Sequence, residues 1–102
     1  MRIYLIDDDS AVLSVLRLLL EQDGHTVAGS AQSAADALED LRVCGAELVL
    51  VDLLMPDMDG ISFVRRAKRE FPALRFVMLS QVTSKDMVAE AYAAGVDFFL
   101  SK

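Results

Sequence analysis

Short apolar runs alternate along this chain with longer stretches whose apolar residues recur at helical spacing. Ile3–Ile6, Thr26–Gly29, Leu48–Val51, Phe76–Leu79 and Phe98–Leu100 are predicted strands. Most are unbroken apolar runs, the pattern of a parallel sheet covered on both faces. Their starts lie about 22 to 28 residues apart, enough for a crossover helix each time. Ala11–Gln22 carries Val12, Leu13, Leu16, Leu19 and Leu20 on one face, with Asp9 or Ser10 as N-cap and Gly24 beyond its end. Ser33–Val43 opens with Ser33 and Asp36 in capping-box spacing and closes before Gly45. Ile61–Glu70 follows Asp59-Gly60 and is stopped by Pro72, and Asp86–Ala94 follows Thr83-Ser84 and ends at Gly95. Five strands alternating with four helices predict an α/β fold, an open, doubly wound parallel sheet.

The alternation requires one more helix after the fifth strand, yet the chain stops at Lys102. A second stripe on the first helix, Ala11, Val15 and Leu18, is also apolar and expects a neighbour on that side. The expectation is a single domain over residues 1–102 that lacks its last element.

Composition narrows the function classes. A net charge of −6 argues against direct nucleic-acid binding, which needs clustered cations. The basic cluster Arg65-Arg66-Ala67-Lys68-Arg69 lies near a helix C-terminus, where cations oppose the macrodipole, and reads as a solvated face. The apolar runs are too short to span a membrane, and no basic segment followed by a signal-like apolar run opens the chain, so a cytoplasmic location is expected. Cys44 has no second thiol for a disulfide or a metal cage and reads as a small apolar filler. His25 reads as a surface turn residue at the start of strand two.

The polar residues that follow the strands carry the chemistry. Asp7 and Asp8 follow strand one, Asp52 strand three, Ser80 strand four and Lys102 strand five. All strand C-termini of a parallel sheet lie at one edge, so these side chains converge there. Strand two is followed only by Gly29 and Ser30. The order 2-1-3-4-5, flavodoxin-like, would put it outermost and away from the cluster. Crowded carboxylates repel one another, and a divalent cation relieves them: Mg²⁺ takes oxygen ligands from carboxylates, waters and phosphate. Asp52 could then attack an arriving phosphoryl group, with Ser80 and Lys102 serving its oxygens. A lone Asp after a strand is ordinarily a turn or cap residue, and Asp9, Asp57 and Asp59 are read that way.

These residues resemble the response-regulator receiver family along the whole chain. The resemblance is carried by Ile3-Tyr4-Leu5-Ile6-Asp7-Asp8-Asp9, by Leu50-Val51-Asp52-Leu53-Leu54-Met55-Pro56-Asp57-Met58-Asp59-Gly60, by Val77-Met78-Leu79-Ser80 and by Ala94-Gly95-Val96-Asp97-Phe98-Phe99-Leu100-Ser101-Lys102. It implies that Asp52 accepts a phosphoryl group from a phosphohistidine on a sensor histidine kinase. It implies Mg²⁺ (or Mn²⁺) on Asp8, Asp52 and the Leu54 backbone carbonyl, with Asp7 acting through water. Ser80 and Phe99 match the switch pair of such domains, and Lys102 the lysine that grips the phosphoryl group. Such a domain is not an enzyme in the turnover sense; it catalyses only its own phosphorylation and dephosphorylation.

Two departures from the family pattern stand out. Gln81 follows the switch serine where a small Ala or Gly is usual, and the Pro and final helix after the lysine are absent. The surface by which many receivers dimerise or meet effectors is thereby in doubt, and the exposed apolar surface invites self-association. Two other functions compete. A phosphorylation-independent interaction module would keep the fold without the chemistry. A Mg²⁺-dependent aspartate-nucleophile phosphatase of the haloacid dehalogenase type would use the Asp7-Asp8-Asp9 segment but leave the Asp52 segment unexplained.

Overall fold

The computed structural model describes residues 1–81 and 84–101. Nine elements alternate: β1 (Arg2–Ile6), α1 (Ser10–Gln22), β2 (Thr26–Ala31), α2 (Ala34–Leu41), β3 (Leu48–Asp52), α3 (Gly60–Glu70), β4 (Arg75–Ser80), α4 (Lys85–Ala94) and β5 (Phe98–Ser101). The five strands form one parallel sheet in the order β2-β1-β3-β4-β5, as the sequence predicts.

Each helix begins on a side chain that accepts from its first turn, the usual remedy for orphan N–H groups. Asp9 caps α1, accepting from Ala11 and Val12; Ser10 is already helical. Ser33 caps α2, Asp59 caps α3 and Ser84 caps α4. α3 loses its helical hydrogen bonding just before Pro72, and α4 ends on the left-handed Gly95.

Side chains alternate across the sheet, so each strand feeds both layers. Tyr4, Ile6, Val49, Val51, Phe76 and Met78 meet Leu38 and Leu41 of α2, Phe63, Val64 and Ala67 of α3, and Ala91 and Ala94 of α4 in one continuous core. Phe63 and Phe76 pack edge to face, their ring centroids 6.3 Å apart. The opposite face carries Ile3 and Leu5, both buried, where α1 lies against β1 and β2.

That second layer is thin. No residue of α1 is fully buried, and Leu19, expected on its core face, is 55% exposed. Val15 and Leu18 are 57% exposed, and Phe98 of β5 is 63% exposed. Among the described residues nothing covers the sheet beside α1 over β4 and β5, so the predicted two-sided burial holds at β1, under α1, and fails toward β5.

β2 extends two residues beyond its predicted end. Gly29 and Ser30 break the apolar run, but as an outer strand β2 is only half-buried and needs no such run. Its pairing with β1 slips by one residue between Ile3 and Tyr4. At the other outer strand the Phe99 N–H donates to the Tyr92 hydroxyl of α4 at 3.1 Å. No helix among the described residues is long and apolar enough to cross a membrane.

Candidate functional site

The C-terminal edge of the sheet brings together Asp7, Asp8, Asp52 and Ser80 of the predicted residues. Asp7 directly follows β1, Asp52 is the last residue of β3 and Ser80 the last of β4. All three side chains are buried, while Asp8 is exposed beside them. Carboxylate oxygens of Asp7, Asp8 and Asp52 lie within 4.8 Å of one another. This is an all-oxygen set with no His or Cys, suited to a hard divalent cation with metal–oxygen bonds of about 2.1 Å and poorly suited to a soft one.

The backbone around the cluster is fixed from several sides. The Asp7 N–H donates to the Ala31 carbonyl at 3.2 Å, and Asp7 Oδ1 accepts from the Asp9 N–H at 3.0 Å. Beyond Asp52, the Leu53 N–H donates to the Leu79 carbonyl at 3.3 Å, and the Leu53 carbonyl accepts from the Gly60 N–H at 2.7 Å. The last bond presses the start of α3 against the end of β3. A Cβ on Gly60 would stand 2.5 Å from the Asp52 carbonyl oxygen and 2.9 Å from Leu53 Cα, so this approach requires glycine.

Three residues read from sequence as turn or cap residues are caps, but not all of the nearest helix. Asp9 caps α1 and Asp59 caps α3. Asp57 reaches across to α2, accepting from Ala34 N–H at 2.9 Å and Ala35 N–H at 3.0 Å. These backbone donors hold its carboxyl below the usual carboxylate range. The Gln32 side-chain amide, which no sequence motif singles out, donates to the Asp8 carbonyl at 3.2 Å. No local spacing announces either contact, since the partners are 23 and 24 residues away.

Phe99 is half-buried at the margin of the main core, in register with Met78. It therefore lies on the same sheet face as Ser80, one pair further from the edge. The Leu54 side chain is exposed, as is that of Gln81. Lys102 lies outside the described residues. Cys44 packs beside the core as expected, and His25 sits at the start of β2, away from the acidic edge.

The response regulator receiver domain family matches residues 3–102. The chain belongs to that family. Among curated relatives, the transcriptional regulatory protein GlnL of Bacillus subtilis is 38% identical over 104 residues, covering all of this chain and 33% of GlnL. The chemotaxis protein CheY of the same species is 31% identical over 101 residues, covering 99% of this chain and 84% of CheY. Among solved structures, the isolated receiver domain of RcsB from Salmonella enterica serovar Typhimurium, in the presence of the phosphomimetic BeF₃⁻, superposes with a TM-score of 0.93. It is 25% identical and covers all of this chain and 77% of that one. This receiver domain thus spans a third of one relative and most of another.

Proposed function

We propose that this receiver domain is a phosphoacceptor switch of a two-component system, modified on Asp52. The observation that carries the reading is the group of three carboxylates within 4.8 Å at the sheet edge, with the buried Ser80 ending the next strand. A carboxylate oxygen of Asp52 attacks the phosphorus of a phosphohistidine on a sensor histidine kinase. The P–O bond forms as the P–N bond breaks, and the imidazole leaves with the electron pair and takes up a proton.

Asp8 and Asp52, with the Leu54 backbone carbonyl, would hold Mg²⁺ or Mn²⁺, and Asp7 would act through water. Bound there, the cation would neutralise the charge that gathers on the phosphoryl oxygens. The Ser80 hydroxyl donates to one phosphoryl oxygen, and the Lys102 ammonium supplies a compact positive charge to another. Movement of Ser80 toward the phosphoryl group leaves room behind it, and Phe99, on the same face, turns inward. A local change of charge thereby biases a packing equilibrium. The domain works within the cytoplasm, turns over no substrate but its own aspartyl phosphate, and passes its state to an output.

The RcsB receiver domain studied with the phosphomimetic BeF₃⁻ supports this reading. The test is thermal melting with Mg²⁺ and fluoroberyllate. Wild type gains stability, while Asp52→Ala and Asp8→Ala gain none. An equal gain in Asp52→Ala overturns the assignment.

A further inference from the structure

β2 contributes no residue to the acidic cluster, yet its last residue and the segment that follows it touch both acid-bearing loops. On one side, the Ala31 carbonyl accepts from the Asp7 N–H at 3.2 Å, and the Gln32 side chain donates to the Asp8 carbonyl at 3.2 Å. On the other side, three residues along the chain, the Ala34 and Ala35 N–H groups donate to the two carboxylate oxygens of Asp57. Asp57 lies in the loop between β3 and α3 that begins beyond Asp52 and contains Leu54.

That loop is anchored at its two ends by the bonds of Leu53 and Gly60. Its middle is held at Asp57, through two charge-assisted bonds that fix both position and direction. At the N-terminus of α2, the Ser33 hydroxyl accepts from the Asp36 N–H, and Asp57 takes the Ala34 and Ala35 N–H groups from a separate loop. The two caps divide the work: Ser33 closes the helix on itself, and Asp57 ties the helix to another loop.

We propose that the β2–α2 junction is a strut between the two acid-bearing loops, and that Asp57 and Gln32 are positioning residues for the divalent cation. The strut sets the distance between the Asp8 side of the site and the Asp52–Leu54 side. It rests on the reading of the cluster as a Mg²⁺ site. Partners behind metal ligands act in this way, and losing one commonly costs about tenfold or more in metal affinity.

Titration calorimetry with Mg²⁺ on the full chain, paired with thermal melting of the same samples, tests the strut. Asp57→Ala weakens Mg²⁺ binding by on the order of tenfold. Asp57→Asn keeps one acceptor oxygen and recovers part of that loss. Gln32→Ala, a change at an exposed side chain, folds normally and loses less. Ser33→Ala removes a cap from the same helix, so it lowers the melting temperature but leaves Mg²⁺ affinity unchanged. Wild-type affinity in both Asp57→Ala and Gln32→Ala overturns the strut, as does an equal loss of affinity in Ser33→Ala. Wild type with no saturable binding overturns the underlying metal reading, and the strut falls with it.

Discussion

The Tyr4 hydroxyl, at the end of a fully buried ring, donates to the Asp40 carboxylate at 2.6 Å. It joins the third residue of β1, an inner strand, to the exposed side of α2. Room for the ring comes from Gly29 on the neighbouring strand, where a Cβ would stand 3.0 Å from Tyr4 Cε1. The register slip between β1 and β2 at this point brings Gly29, rather than Ala28, opposite Tyr4. Burial and the Asp40 bond push the phenol far above its ordinary range.

Tyr4→Phe keeps the ring and loses the bond. The expected cost is about 1 kcal/mol, modest because Asp40 is exposed and returns to water. The contribution has a defined pH window. A raised folded pKa stabilises fully below the unfolded tyrosine value of about 10 and is lost as pH rises through the folded value. Denaturant titrations at neutral pH and at about pH 11 should therefore show the gap between wild type and Tyr4→Phe shrinking in alkali.

Gly60→Ala should damage fold and chemistry together. Its Cβ meets backbone on two sides, Asp52 and Leu53, and backbone cannot rotate away. Overpacking of this kind costs about 1–3 kcal/mol. The displacement falls on Asp52 itself, so the fluoroberyllate response should fall by more than the stability loss explains. A variant with normal stability and a normal response would contradict the close approach.

Acid should loosen the helix starts before the core. Backbone donors on α2 lower the Asp57 pKa; at Asp59, burial raises it but is outweighed by the Ser62 N–H and hydroxyl. Depressed folded pKa values stabilise above the unfolded carboxylate value of about 4, and that stability is lost as pH falls through the folded values. Melting temperature should hold from neutral pH to about 4 and fall below it. Asp59→Asn should flatten that fall, since the amide does not titrate.

The uncovered face should draw copies of this chain together. Val15, Leu18 and Leu19 on α1 and Phe98 and Leu100 on β5 are all exposed. Sedimentation velocity should show association that grows with concentration, and Leu18→Glu with Phe98→Lys should suppress it. Stability should change by less than about 0.5 kcal/mol, the usual range for surface changes.

Much of this was legible in sequence because the signals were local. Strand runs, caps and the strand-end carboxylates each follow from a few neighbouring residues, and the parallel sheet turns strand ends into one site. The predicted end of the outer strand β2 falls short of Ala31 because Gly29-Ser30 resembles a turn when burial is unknown. Leu19 has core spacing but lies where α1 is only lightly covered, which periodicity cannot register. The sequence marks Asp57 as a turn or cap residue, and its partners on α2 depend on how the chain folds back. The role of Lys102 rests on sequence alone, as the residue lies outside the described ones.

The bond from the Phe99 N–H to the Tyr92 hydroxyl bears on how the sheet ends. An outer strand offers its outward N–H groups to any extended peptide that comes alongside. At β5 one of those groups is already occupied, by a side chain leaning from the helix before it. An incoming strand must evict the hydroxyl before it can add to the sheet. Tyr92 of α4 thus stands guard over the open side of β5, where an added strand would have to begin.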